Sequence, residues 1–206
     1  MTKNKMVGWH LLQACINVVE ASHLLGEHET ELEYRLQLLE LQLGLLPEDH
    51  PDMIQPYRSI ARLYAGLKRP HQQIIYLHKA ARCGDLDSMR QLGTALLLNE
   101  QYQDGLHWLD QAVRRKDIHA TYIMGRLRLG SNALPRDLKQ AIPMLEQAAQ
   151  RNHPMANQVL GQLFLSRSPD APFDPRRALD HLLTARNLGA HVDDALIREA
   201  QDLLRR

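Results

Sequence analysis

Apolar residues recur along most of this chain at helical spacing, not in the alternation of a strand. Leu106, Leu109, Ala112 and Val113 fall at i, i+3, i+6 and i+7 on one stripe, with Asp104, Asp110 and Arg114 outside it. Such a segment predicts an amphipathic helix that must lay its stripe against a neighbour. Between the periodic segments stand "NEQYQDG", "GSNALPRD" and "SRSPDAPFDP", which read as loops. The last is the longest and richest in proline and is predicted to be exposed. Asp174 and Pro175 at its end suit a cap and first-turn pair for the following helix.

The periodic segments are related to one another. "SMRQLGTALLL" from Ser88, "TYIMGRLRLG" from Thr121 and "NQVLGQLFLS" from Asn157 each place an apolar residue before a glycine, and Gly93, Gly125 and Gly161 are spaced by 32 and 36 residues. A second phrase follows in step: "LHKAA" from Leu77, "LDQAV" from Leu109, "LEQAA" from Leu145 and "LLTAR" from Leu182. Two amphipathic helices per unit, with a period in the thirties, mark an α-solenoid in which small residues let helix A approach helix B.

These phrases carry a family resemblance. "MGRLRLGSNALPRDLKQAIPMLEQAAQRNHPMANQVLG" and "LGQLFLSRSPDAPFDPRRALDHLLTARNLGA" resemble Sel-one-like repeats, the roughly 36-residue cousin of the tetratricopeptide repeat. The preceding unit, "SMRQLGTALLLNEQYQDGLHWLDQAVRRKD", has a shorter A-to-B loop and resembles an ordinary tetratricopeptide repeat. "LLELQLGLLPEDHPDMIQPYRSIARLYAGLKRPHQQIIYLHKAA" is similar to the longer repeats of kinesin light chains, with Pro47-Glu48-Asp49-His50-Pro51 as its turn.

The expected fold is therefore all-α: a right-handed α-solenoid of antiparallel helix pairs with a C-terminal capping helix. We expect a single helical-repeat domain over 1–206, with approximate units 8–46, 52–84, 86–116, 119–152 and 155–189 and a capping helix over 193–205. Two residues depart from the pattern. Tyr64 stands where other units have a small residue, which predicts a splayed or locally repacked pair, and Pro143 falls inside a B helix, which predicts a bend if that helix starts near Asp137. His153, in "QAAQRNHPMANQVLGQLF", sits at an inter-repeat turn where neighbouring units have Asp117 or Ile118 and Asp85 or Leu86. Such a position is expected to tolerate many residue types, so His153 reads as a joint and not a site.

Composition narrows function more by exclusion than by suggestion. The chain is 44% hydrophobic, 24% charged and 5% aromatic, with a formal charge of +1. Near-neutrality and an irregular period speak against a nucleic-acid partner, which needs clustered cations. The compact run Arg114-Arg115-Lys116 suits the end of a helix, where cations complement the dipole. The N-terminal stretch has no leader core and no window is apolar enough to span a membrane, so a cytoplasmic location and no membrane partner are expected. Cys15 and Cys83 lack a CxxC spacing and read as small buried or half-buried thiols.

No phosphate loop, nucleophile elbow or Cys/His nucleophile pattern is present, so no enzyme and no cofactor are expected. Of the histidines, His23 and His28 with Glu27 are the densest group. His23 and His28 at i and i+5 lie about 140° apart around one helix and cannot face one ion, so no metal is expected.

The resemblance implies what the scaffold does. In tetratricopeptide repeats the A helices line a groove, and counting from each L-G phrase puts Arg58, Arg90, Thr94, Tyr122, Arg126, Gln158 and Gln162 at groove-facing positions. Three arginines and a tyrosine there would suit an acidic peptide with an aromatic or apolar anchor. Ala61 and Ala65 fill two positions at which the carboxylate-clamp version of the fold has polar residues, which argues against that version. The leading expectation is a non-catalytic protein–protein interaction module, an adaptor, scaffold or regulator, binding a protein or peptide partner. The alternative is a dedicated chaperone for a secreted or effector protein, and an RNA-binding repeat or an enzyme with a scattered site come after it.

Overall fold

A computed structural model describes the backbone of residues 3–205 and side chains from residue 13 onward. Met1, Thr2 and Arg206 lie outside the described residues, as do the first part of the stretch read above for a leader and the side chain of His10 within it. Among the described residues there are eleven α-helices, one 3₁₀ helix and no strand. No helix among them is long and apolar enough to cross a membrane. The chain forms two compact units, one through Gln101 and the other from Tyr102.

The first unit holds α1 (Lys3–Leu25), α2 (His28–Leu43), a 3₁₀ turn (Pro51–Met53), α3 (Ile54–Gly66), α4 (Pro70–Arg82) and α5 (Leu86–Leu98), each helix packed on the next. Met53, Tyr57 and Ile60 are fully buried at its centre with Leu32, Leu39 and Leu63. The kinesin-like turn is built in part by His50, whose ring accepts the Asp52 N–H at 3.2 Å, and the buried Tyr57 hydroxyl donates to the Glu48 carbonyl at 3.2 Å. Burial pushes the Tyr57 phenol up to about 12.

The small-residue position of this helix pair is held by the buried Ala61, 32 residues before Gly93, and not by Tyr64. Its ring stacks on Tyr76 of α4 with centroids 5.5 Å apart, and Tyr76 in turn meets Tyr57 at 6.4 Å. An aromatic layer thus joins α3 to α4 about one turn beyond that position.

The second unit holds α6 (Tyr102–Arg114), α7 (Ile118–Leu127), α8 (Leu138–Gln150), α9 (Pro154–Leu165), α10 (Pro175–Asn187) and α11 (Asp194–Leu204). Here the paired sequence phrases find their physical meaning. A methyl added at Gly125 would come within 3.0 Å of Leu145 Cγ, and one at Gly161 within 2.6 Å of Leu182 Cγ. The glycine of each A helix is the notch for the leucine of its B helix, and Leu145 and Leu182 are fully buried as a result. Each such burial contributes about 2 kcal/mol of transfer free energy. α11 packs on α10 as the capping helix, with Ile197 and Ala200 buried beside Val192.

Pro143 lies inside α8, in its second turn, on the exposed face. Lys139, whose carbonyl loses its amide partner there, is also exposed, so water can take the bond. The Asp137 side chain caps this helix by accepting the Gln140 N–H at 3.1 Å.

The turns between helices share one design. Lys68, Gly84, Glu100, Lys116 and Asn152 adopt positive φ, and the N-cap position follows immediately at Asp85, Asp117 and His153. Asp85 accepts the Ser88 N–H at 2.9 Å, Asp117 the Ala120 N–H at 2.5 Å, and His153, through Nδ1, the Ala156 N–H at 3.2 Å. The position of His153 is therefore not the permissive one the sequence implies. It must present an acceptor to a helix start, and His153 is 7% exposed.

Candidate partner-binding site

The seven groove-facing residues inferred from the repeats divide between the units. Arg58, Arg90 and Thr94 lie in the first, and Tyr122, Arg126, Gln158 and Gln162 in the second.

In the first unit α3 and α5 bring Arg58 and Arg90 to one carboxylate. Arg58 Nη2 donates to Asp87 Oδ2 at 2.7 Å and its Nη1 stands 3.6 Å from Asp85, while Arg90 donates to the other oxygen of Asp87. Gln91 adds a bond to Asp87 at 2.7 Å. The Thr94 hydroxyl donates to the Arg90 carbonyl at 3.0 Å within its own helix.

Around these residues the surface is concave. A depression of about 370 Å³ is lined by Pro70, Gln73, Arg90, Gln91, Thr94 and Ala95, among others. Gln73 and Gln91 are shared with a second depression of about 220 Å³ that takes in Gln55, Arg58, Ser59 and Arg62. Gln55 and Ser59 are shared with a third, of about 330 Å³, reaching Ile16, Arg35, Leu38 and Gln42. Shared walls make the three one trough, running from α1 to α5.

The trough is amide-rich and cationic. Gln42, Gln55, Gln73 and Gln91 each offer a donor and an acceptor, and Arg62 is exposed with no ion pair among the described residues. Arg35 is held from behind by Glu31, a carboxylate with no exposed surface, which accepts Arg35 Nε at 2.7 Å and lies 3.1 Å from His23 Nδ1. Burial pushes the Glu31 carboxyl up, but the Arg35 and His23 contacts outweigh it and hold it below the ordinary glutamate value. Sequence reasoning grouped His23 with Glu27 and His28. The structure instead gives His23 to Glu31, in the first turn of α2 beyond the loop.

In the second unit the groove positions are mostly committed to structure. The Tyr122 ring is 8% exposed and stacked on His153 with centroids 4.4 Å apart, which removes it as an exposed aromatic anchor. Arg126 is exposed, its Nη1 3.5 Å from the Tyr122 hydroxyl. Gln158 donates to the His191 carbonyl at 3.0 Å, and Gln162 is exposed. The two long loops are joined: Arg136 Nε donates to Asp170 Oδ2 at 2.6 Å, a pairing that holds the Asp170 carboxyl far below the usual range.

Of the residues that line the trough, sequence singled out Arg58, Arg90 and Thr94 but neither Arg35, Arg62 nor the four glutamines. A usable signal exists for Arg62, one helical turn beyond Arg58 on the same face of α3. Gln73 enters from the B helix, and repeat counting along A helices cannot find it. Cys15 is buried and Cys83 half-buried, with the Cys83 thiol donating to the Glu48 carbonyl at 3.3 Å.

No family model matches the sequence, and no curated protein matches it. Solved structures do share the fold. A Sel1 repeat protein from Oxalobacter formigenes superposes with a TM-score of 0.61 at 19% identity, covering 85% of this chain and 49% of that one. This chain therefore spans about half of that protein's length. YrrB, a TPR protein described as having an unusual peptide-binding site, gives 0.56 at 21% identity over 91% and 90% of the two chains. A set of nearly identical, kinesin light chain-like TPR repeats from Podosopora anserina gives 0.54 at 16% identity over 95% and 97%. At such identities the likeness establishes the fold: the chain has the all-α repeat architecture of Sel-one-like and tetratricopeptide repeat proteins.

Proposed function

We propose that this chain is a non-catalytic protein–protein interaction module, an adaptor, scaffold or regulator, and that it takes an extended acidic segment of a protein partner in the trough of its first unit. One observation carries the reading: the trough is walled by four glutamine amides and by Arg35, Arg58, Arg62 and Arg90. Amide side chains can pair with both the N–H and the C=O of an extended main chain, and guanidinium groups fork onto carboxylates. Of the nearby acids, Asp87 is occupied by Arg58, Arg90 and Gln91, and Glu31 is buried beneath Arg35. A likeness in fold to a protein with a peptide-binding site supports the same direction. Tyr122 has no place in this reading, because its ring is already stacked, and the apolar part of recognition falls to Ile16, Leu38 and Ala95 in the trough.

The test is a pull-down from native extract with wild type and with Arg62→Glu plus Arg90→Glu. A defined partner recovered by wild type and lost by the double variant, with helical circular dichroism unchanged, supports the trough. Equal recovery by both overturns it. Arg126→Glu, made separately, asks whether the second unit contributes.

A further inference from the structure

We infer that the joint between α7 and α9 is a proton-operated latch, in which the N-cap of α9 holds only while His153 and His119 are both neutral. The hydrogen bonds dictate this. His153 Nδ1 accepts the Ala156 N–H at 3.2 Å, so it must carry a lone pair, and the proton of the neutral ring is on Nε2. That Nε2 stands 3.1 Å from His119 Nδ1, so it donates and His119 Nδ1 accepts. His119 then carries its own proton on Nε2, on the exposed side of the pair.

No protonated form satisfies this arrangement. A proton added to His153 arrives at Nδ1 and turns the cap into two opposed N–H groups. A proton added to His119 arrives at its Nδ1 and faces the His153 Nε2–H. The clash is relieved only if His153 moves its proton to Nδ1, which again opens the cap. Cationic imidazole is also the wrong charge for a helix N-terminus. His119, which is exposed, gives protons access, while His153, which is buried, converts them into a broken helix start.

The surroundings favour the neutral form. From α7, Asp117 is the nearest acid, but its Oδ1 is taken up in capping its own helix through Ala120. Lys116 and Arg151 stand on the turns on either side, with Arg151 Nη1 3.5 Å from the Lys116 carbonyl. Tyr122 lies flat on the His153 ring. From α10, His181 reaches the same turn indirectly: its Nδ1 bonds Asn157 Oδ1 at 2.9 Å, and Asn157 Nδ2 donates to the His153 carbonyl at 3.2 Å. Burial and the neighbouring His119 hold His153 below the ordinary histidine value, with Asp117 opposing them. The equivalent caps in neighbouring repeats, Asp85 and Asp117, are carboxylates, whose oxygens accept the helix N–H and carry no ring N–H to oppose it. The latch governs α9, the helix that carries Gln158 and Gln162.

The test uses the whole chain and needs no partner, so it stands or falls apart from the trough. Nitrogen-15 NMR of the imidazoles at about pH 7.5 should show His153 protonated on Nε2 and bare at Nδ1. On lowering to about pH 5.5, amide-exchange protection of Ala156 and Asn157, corrected for intrinsic rates, should fall about tenfold or more while the first turn of α5 is unchanged. His153→Asp, which installs the cap of the neighbouring repeats, should keep that protection flat across the same range. A His153 proton on Nδ1 at the higher pH, a flat wild-type profile, or an equal loss in His153→Asp overturns the latch.

Discussion

Gly161 and Leu182 occupy one volume: a methyl on Gly161 would stand 2.6 Å from Leu182 Cγ and 2.7 Å from Cδ2, distances no packed pair adopts. Because Leu182 is fully buried and the Ala178 carbonyl closes in at 3.2 Å, the leucine has little room to yield. Gly161→Ala is therefore expected to cost about 1–3 kcal/mol in urea unfolding, against the usual preference of helices for alanine. Leu182→Ala alone should cost about 2–5 kcal/mol. Since alanine at 182 leaves the space that alanine at 161 needs, the double variant should cost less than the sum by about 1 kcal/mol or more. Gly66, the last residue of α3, supplies the opposite sign. A methyl there meets nothing within 4 Å, and Gly66→Ala should gain about 0.5 kcal/mol.

Ala61, buried and 32 residues before Gly93 as Arg58 is before Arg90, holds the small-residue register of α3, so Tyr64→Gly would leave that notch as it is. It should nevertheless destabilise the first unit by about 3 kcal/mol, because it empties the stack on Tyr76 and places a glycine within α3. Equilibrium denaturation of the variant checks this, and a neutral or positive outcome would show that the aromatic layer is dispensable.

The two units should respond to acid in different windows. His153 and His181 are held below the ordinary imidazole value by burial, with His119 and Arg177 adding to it, so the unfolded chain binds more protons than the folded one. Their contribution is intact above about pH 6.5 and falls as the pH drops through and below that value. Glu31 is held below the ordinary carboxylate value, so its contribution is intact above 4.5 and is lost as the pH falls below it. Exchange mass spectrometry across a pH series should show α9 and α10 losing protection at higher pH than α1 and α2. The reverse order would contradict the assignment of these groups.

The Arg136–Asp170 clip ties the proline-rich loop to the loop before it through exposed side chains. Its removal should alter loop mobility more than global stability. Arg136→Ala is expected to speed limited proteolysis within 167–173 several-fold, with the melting temperature unchanged. High salt should have the same effect on wild type.

Much of the scaffold is legible in the sequence for a simple reason. The L-G phrase and the leucine phrase are two halves of one contact, so the same packing rule is written twice in each unit and the copies keep step. The N-cap at Asp174 with Pro175 following is legible in the same way, since capping depends on local residues. What sequence does not disclose is where polar side chains end. Arg58 and Arg90 converge on Asp87 from different helices, and Tyr122 turns inward onto His153 because that ring is buried there. Repeat counting gives a residue's face, whereas its partner depends on what the neighbouring repeat supplies. His153 is the sharpest case: its place at a joint follows from the spacing, and its role there follows only from the two nitrogen contacts.

The left-handed turn residue followed at once by its cap has a consequence for how this chain can change length. At Gly84–Asp85, Lys116–Asp117 and Asn152–His153 one residue reverses the chain and the next must meet a helix start, so nothing can be inserted between them without losing the cap. The loops over 128–137 and 166–174 carry no such adjacency, and they lie on the other side of each helix pair. Added or deleted residues are accommodated there, so the connection within each helix pair of the second unit is open to growth, whereas the turns at Lys116–Asp117 and Asn152–His153 are fixed in length.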